Sequence, residues 1–227
     1  RYPKYLGVFG FFSMMIFRLP LMLDNRKKFW KLMGSGKNGT FDIKPDFNQW
    51  ALLFTMNEPS EFIPSFIKTY LKFFKCDVKQ IIMQPLEGHG LWDGKKVFGE
   101  LSKQNNYDGI IAVLTRATIR INRLKNFWKN VDTVADKMKT TPGLILSYGI
   151  GELPWIKQAT FSVWQNKESM KAFAYNMQKH IDVIKKTRVE KWYKEEMFVR
   201  FKILSVSGFE KDTEAKLLNL HASYDEA

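Results

Sequence analysis

The chain has little cysteine and little histidine. Its 227 residues hold one cysteine, Cys76, and three histidines, His89, His180 and His221. A lone cysteine cannot form an intrachain disulfide, so a reducing, cytoplasmic setting is expected. Three histidines leave few anchors for an imidazole-bound cofactor. Also missing are C-x-x-C, H-E-x-x-H, G-x-S-x-G and the Walker lysine loop, and Gly149-Ile150-Gly151 is too short for a dinucleotide fingerprint. Most metal, nucleotide and hydrolase classes lose support on that ground.

Long apolar runs are scarce as well. Tyr5 to Leu23 is apolar but broken by Arg18 and Pro20. The unbroken part, Tyr5 to Phe17, falls short of the roughly 20 residues that cross a bilayer. No small-residue cleavage site follows it, so a signal peptide is not expected. This segment reads as a buried strand leading into a helix. Basic residues are plentiful, 36 against 23 acidic, for a formal net charge of +13. They are scattered, with no run longer than a triplet, so nucleic acid is not an expected partner. An anionic membrane surface or an acidic electron donor suits such a surface better.

What is present is a globular composition, with 45% hydrophobic and 26% charged residues. Aromatics reach 15%, including 19 Phe and 7 Trp. That content suits either a large apolar pocket or an ordinary aromatic core.

The chain divides into two halves, 1–98 and 109–208, joined by a polar connector with Gln104-Asn105-Asn106, and followed by a tail, 209–227. Each half reads strand, helix, strand, helix, strand. In the first, Leu6 to Phe17 is read as a strand, 19–33 as a helix, Trp50 to Met56 as a strand, a helix capped at Asn57 and running to about Lys75, and Ile81 to Leu86 as a strand. In the second, Gly109 to Ile119, Gly143 to Ser147, Gln158 to Trp164 and Met197 to Val206 are strands. Helices are expected over 122–139 and from Asn166 to about Arg188. Phe29-Trp30-Lys31 and Phe127-Trp128-Lys129 are taken to match on the first helix of each half. The pattern predicts an α+β fold, two fused ferredoxin-like repeats forming an α+β barrel.

Three features carry candidate chemistry. His180 shares the apolar stripe of its helix with Met177 and Ile184. It is either a satisfied structural histidine or a proximal ligand to haem iron. Alternation over Ala112 to Arg120 puts Arg116, Thr118 and Arg120 on one strand face. That face is either a solvated strand end or a polar patch over a cofactor. The glycines of Gly149 to Gly151 allow a tight turn, and Trp155 reads as either a pocket wall or a packed tryptophan. Cys76 reads as a buried inert thiol, and His89 as an exposed turn residue.

Four stretches resemble the spheroidene monooxygenase family: Phe29-Trp-Lys-Leu-Met-Gly-Ser-Gly36, Val113-Leu-Thr-Arg-Ala-Thr-Ile-Arg120, Gly149-Ile-Gly-Glu-Leu-Pro-Trp-Ile-Lys-Gln-Ala-Thr-Phe-Ser-Val-Trp164 and Trp192-Tyr-Lys-Glu-Glu-Met-Phe-Val-Arg-Phe201. A histidine at the position of His180 belongs to the same pattern. The resemblance implies a haem-dependent monooxygenase of carotenoid biosynthesis, an oxidoreductase holding heme b and its iron. It would oxidise an activated methylene of a linear carotenoid to a hydroxy and then a keto group. It implies O2 as co-substrate, a ferredoxin-like electron donor and a homodimer. With a carotenoid as substrate, the positive surface would suit a peripheral membrane contact, where carotenoids dissolve. On matching positions, His180 would be the metal ligand. Arg116, with Arg120 second, would be the distal donor, and Trp155 and Gln158 would line the cofactor pocket. One haem per chain is implied, in the second half. Rival readings are a peroxidase-like or dehydratase-like haem enzyme on the same fold, a haem carrier or sensor, and a basic binding module without haem.

Overall fold

A computed structural model of the chain describes residues 1–40, 42–57, 63–130, 140–176 and 186–222. The element order is α1 (Gly7–Ile16), α2 (Arg18–Leu23), β1 (Phe29–Gly36), β2 (Pro45–Thr55), α3 (Ser65–Phe73), β3 (Gln80–Gly90), β4 (Ile111–Ile119), β5 (Leu144–Leu153), β6 (Lys157–Trp164), α4 (Lys167–Asn176), β7 (Tyr193–Ser207) and α5 (Lys211–Ala222). Residues 124–130 are also helical.

All seven strands form one antiparallel sheet, ordered β2-β1-β5-β6-β4-β7-β3. The second half supplies the middle four in the order β5-β6-β4-β7, the ferredoxin-like arrangement. The first half is split. Its hairpin β1–β2 joins β5 at one side, and β3 joins β7 at the other. The fold is α+β, as expected, with the repeats sharing one sheet rather than packing two.

The period of burial explains the sheet's two faces. Along β4, Ala112 and Leu114 enter the largest core cluster with Phe161, Val163, Val199 and Phe201. The alternate residues Ile111 and Val113 meet Met170 and Phe173 of α4. Ile119 meets Phe127 of the helical stretch 124–130. One face is therefore the core face, plugged by Trp92 and by Leu217 of α5. The other is the helix face. Leu217 is fully buried, so the stretch expected as a tail contributes to the core.

The N-terminus departs from expectation. Residues 7–16 are helix, not strand, and 29–36 are strand, not helix. Consequently Phe29-Trp30-Lys31 lies on a strand while Phe127-Trp128-Lys129 is helical, and the two words do not match in structure. The cause is what α1 buries. Gly7, Gly10, Ser13 and Phe17 face inward at helical spacing. A Cβ on Gly10 would lie 2.4 Å from Trp50 Nε1, so glycine lets this helix lie directly on β2. The large apolar side chains point outward. That inverts the usual amphipathic pattern and hides the helix from a periodicity reading.

Candidate functional site

Arg116 is 1% exposed and sits on the core face at the end of its apolar stripe. Its guanidinium donates to Asp93 at 3.1 Å and to Glu195, and lies 3.6 Å from Glu152. Lys31 pairs with Asp93 and, at 2.6 Å, with Glu152. Lys157 reaches Asp93 at 2.7 Å. Three cations thus meet three carboxylates in one row across β1, β5, β6, β4 and β7. The turn at Trp92-Asp93-Gly94 closes over it. Trp92 Nε1 donates to Glu152 at 2.7 Å, and the Arg116 guanidinium lies 5.6 Å from the Trp92 ring centre. The Asp93 and Gly94 amides donate to Glu195 at 2.9 and 2.7 Å. Both residues have positive φ, 51° and 75°, which aims the two amides at one carboxylate.

The electrostatics follow from this geometry. Burial pushes the Asp93 carboxyl up, but hydrogen bonds from Lys157 and Lys31 outweigh it and hold the group at about 2. Glu195 is lowered in the same way: burial opposes, while the Gly94 and Asp93 amides and Arg116 prevail. Burial draws Lys31 down, and its bonds to Asp93 and Glu152 more than restore it. The row is a ladder in which three basic and three acidic side chains alternate within ion-pair distance.

The helix face of the same strands is different. Thr115 is exposed although its strand is hydrogen-bonded on both sides. Across from it stand Thr160 on β6 and Phe198 on β7, and Thr160 faces Gly149 on β5. The next row is Glu196, Ala117, Gln158 and Gly151. A Cβ on Gly151 would come within 2.9 Å of Gln158 Nε2, so only glycine leaves that amide room. Gln158 Nε2 donates to Leu153 O at 3.2 Å. Thr115, Thr160, Gly149, Ala117 and Gly151 form a low floor between the two helix-side apolar clusters, flanked by Phe198, Glu196 and Gln158. At the end of β4 lies a hollow of about 580 Å³ lined by Thr118, Ile119, Arg120, Ile121, Asn122, Ile156 and Lys194. That volume is in the range of small-molecule sites.

The residues singled out from sequence do not all converge. Arg116 belongs to the ladder on the core face, and Gln158 to the floor on the helix face. Arg120 does not share a face with Arg116, because the register shifts between Thr118 and Ile119 and the strand ends there. Arg120 is exposed at the hollow instead. Trp155 is 51% exposed in the β5–β6 turn, at φ 64°, and donates to Ile43 O at 3.3 Å. Gly149 to Gly151 run inside β5 rather than forming a turn. His89 is exposed, as expected, but on β3, its ring 5.9 Å from that of Phe198. Cys76 is partly buried, and burial raises its thiol. His180 lies outside the described residues. Among the described residues no group of three His, Cys, Asp or Glu could hold a metal ion.

Sequence reasoning missed the partners of Arg116. A signal was available: Lys31, Glu152, Lys157 and Glu195 all lie inside the four family-like stretches.

No family model matches the chain. Curated relatives do. The chain is 31% identical over 201 residues to spheroidene monooxygenase of Rhodobacter capsulatus, covering 86% of this chain and 83% of that one. To the Rubrivivax gelatinosus protein of the same name it is 33% identical over 197 residues, covering 83% and 73%. To that of Cereibacter sphaeroides it is 30% identical over 213 residues, covering 92% of this chain and 65% of that protein, so the chain spans just under two thirds of that relative's length. Among solved structures, a Fusobacterium nucleatum protein is similar at 11% identity and TM-score 0.42, covering 86% of this chain and 88% of that one. A Lactobacillus acidophilus protein is similar at 12% and 0.40, covering 89% and 88%. The single antiparallel sheet, with helices packed on one face, defines an α+β protein. Within that class, the chain belongs to the spheroidene monooxygenase family.

Proposed function

We propose that this chain is a haem-dependent monooxygenase that oxidises a linear carotenoid at an activated methylene, giving a hydroxy and then a keto product. The observation that carries the reading is the 31% identity to the Rhodobacter capsulatus enzyme over most of both chains. The substrate class comes from the relatives' name. O2 and a ferredoxin-like reductant complete the reaction, and a homodimer is the proposed assembly.

The proposed seat of a flat cofactor is the helix-face floor. The reading is supported by the small residues Thr115, Ala117, Thr160 and Gly151 there, with Phe198 and Glu196 at the side. Heme b there would supply oxygen activation. His180 would hold its iron, and Gln158 would face the ring from the floor. Arg120 takes the distal-donor role in preference to Arg116, whose guanidinium is engaged on the other face. Arg116 acts on the site only by fixing the strands beneath it. Trp155 lines the approach at the strand ends.

The test is an absorption spectrum of the protein made with haem supplied, beside the His180→Ala variant. A Soret band in the parent, lost or strongly altered in the variant, is the expected result, followed by conversion of a linear carotenoid with O2 and reduced ferredoxin. Absence of haem uptake in both proteins would overturn the reading and favour a basic binding module. A six-coordinate iron with protein ligands on both sides and no turnover would point to a haem carrier instead.

A further inference from the structure

The helix that replaces the first strand keeps its small side chains for the sheet. From Lys4 to Leu23 the chain is helical for 20 residues, with a mean hydropathy of 1.8 over its most apolar window and only 22% of that window buried. Gly7, Gly10 and Ser13 seat it on β2. Outward go Val8 (57% exposed), Phe11 (55%), Phe12 (47%), Met15 (67%), Leu19 (64%) and Met22 (68%). Phe66 and Phe73 of α3 are also bare, at 53% and 77%. A contiguous apolar patch of this kind on one surface marks an interaction site.

The charges around the patch select the occupant. Residues 1–23 and 63–76 contain no Asp or Glu, and Lys4, Arg18, Lys68, Lys72 and Lys75 are all exposed there. A second copy docked by twofold symmetry would set this basic rim against itself. An anionic bilayer complements both parts, hydrocarbon for the aromatic face and headgroup phosphates for the rim. Crossing the bilayer would require lifting the helix off β2, where its glycines are fitted.

We propose that α1 and α2, with the exposed edge of α3, form an in-plane docking surface for anionic phospholipid membranes. The aromatic face enters the headgroup boundary and the lysines meet the phosphates. This inference stands apart from the oxygenase reading, because membrane docking needs neither haem nor carotenoid. Should that reading hold, the surface is also where a membrane-dissolved substrate would be met.

The experiment is flotation of the protein with phosphatidylcholine vesicles, with and without phosphatidylglycerol. Binding is expected to phosphatidylglycerol vesicles and to weaken with salt. It should fall at least about tenfold in a Phe12→Ser, Met15→Ser, Leu19→Ser variant. It should fall about fivefold for each of Lys68→Gln and Lys72→Gln. All five residues are exposed, so an unchanged thermal transition checks that the variants fold. Equal flotation of parent and serine variant overturns the proposal, as does no flotation of the parent. A parent dimer that the serine variant converts to monomer, without flotation, assigns the face to a second copy. Retention in the membrane after alkaline carbonate extraction assigns it to a spanning helix, and release supports the proposal.

Discussion

Arg116 and Gln158 sit one register step apart on neighbouring strands, yet they serve opposite faces of the sheet. Arg116 pairs with Ala159 and Gln158 with Ala117. The first joins the ionic ladder, and the second joins the small-residue floor. Any ligand on the floor feels Gln158 directly and Arg116 only through the backbone between them.

The ladder makes Arg116 a structural liability if removed. Arg116→Ala would leave Asp93, Glu152 and Glu195 without their shared cation. Breaking a buried ionic group typically costs about 3–5 kcal/mol. Urea unfolding should show a loss of that order. Arg116→Lys should recover part of it, since lysine keeps the charge but loses the fork that spans two carboxylates.

Acid should weaken the same ladder. Asp93 is held at about 2, below its unfolded value near 4. A depressed carboxyl contributes stability above the unfolded value, and that contribution is lost as pH falls through the folded one. Glu195 and Glu87 are lowered too and add in the same direction, Glu87 through Arg200 and Lys167 against the opposing effect of burial. The thermal midpoint should therefore drop between about pH 4 and pH 2. Asp93→Asn should flatten that drop. An acid profile identical to the parent's would remove Asp93 from the account.

The floor can be filled without harming the fold. Thr115 is exposed, so Thr115→Phe should change stability by no more than about 0.5 kcal/mol. It should cut haem uptake at least tenfold, or about 1.4 kcal/mol in affinity, if the proposed cofactor lies there. Haem titration followed by absorbance reads this directly. Full uptake with a normal spectrum would move the cofactor elsewhere.

Gly10 should tolerate no side chain. Gly10→Ala places a methyl 2.4 Å from Trp50 Nε1 and 2.8 Å from Phe47 O. Overpacking of this kind costs about 1–3 kcal/mol. The matching measurement is a melt of Gly10→Ala against Gly34→Ala, whose added carbon would meet Trp50 at an ordinary 3.5 Å.

The second half of the fold was legible because its elements obey simple periods. Ile111 to Leu114 alternate between two apolar clusters, and Lys167 to Asn176 follows a capping Asn166, whose Oδ1 accepts from the Ser169 amide at 2.8 Å. The N-terminus was not legible, since Gly7, Gly10 and Ser13 are buried while Phe11 and Phe12 are not. A reading that equates apolar with buried turns such a helix inside out. Lys31 on β1 pairs with Asp93 and Glu152, partners distant in sequence. Five of the six ladder residues lie in the four family-like stretches, each of which supplies at least one of them. Only Asp93, held by its own turn, lies outside them. What sequence could not give was the pairing, because ion partners on five strands meet only once the sheet exists.

The shared sheet also sets an order of assembly. Because β1 needs β5 and β3 needs β7, the first repeat cannot finish pairing while it alone has left the ribosome. Its strands must wait, unpaired along one edge, until the second repeat is synthesised and slots between them. The two repeats are thus interleaved partners in folding, and cutting the chain at the connector should yield two fragments that recover native structure only when mixed.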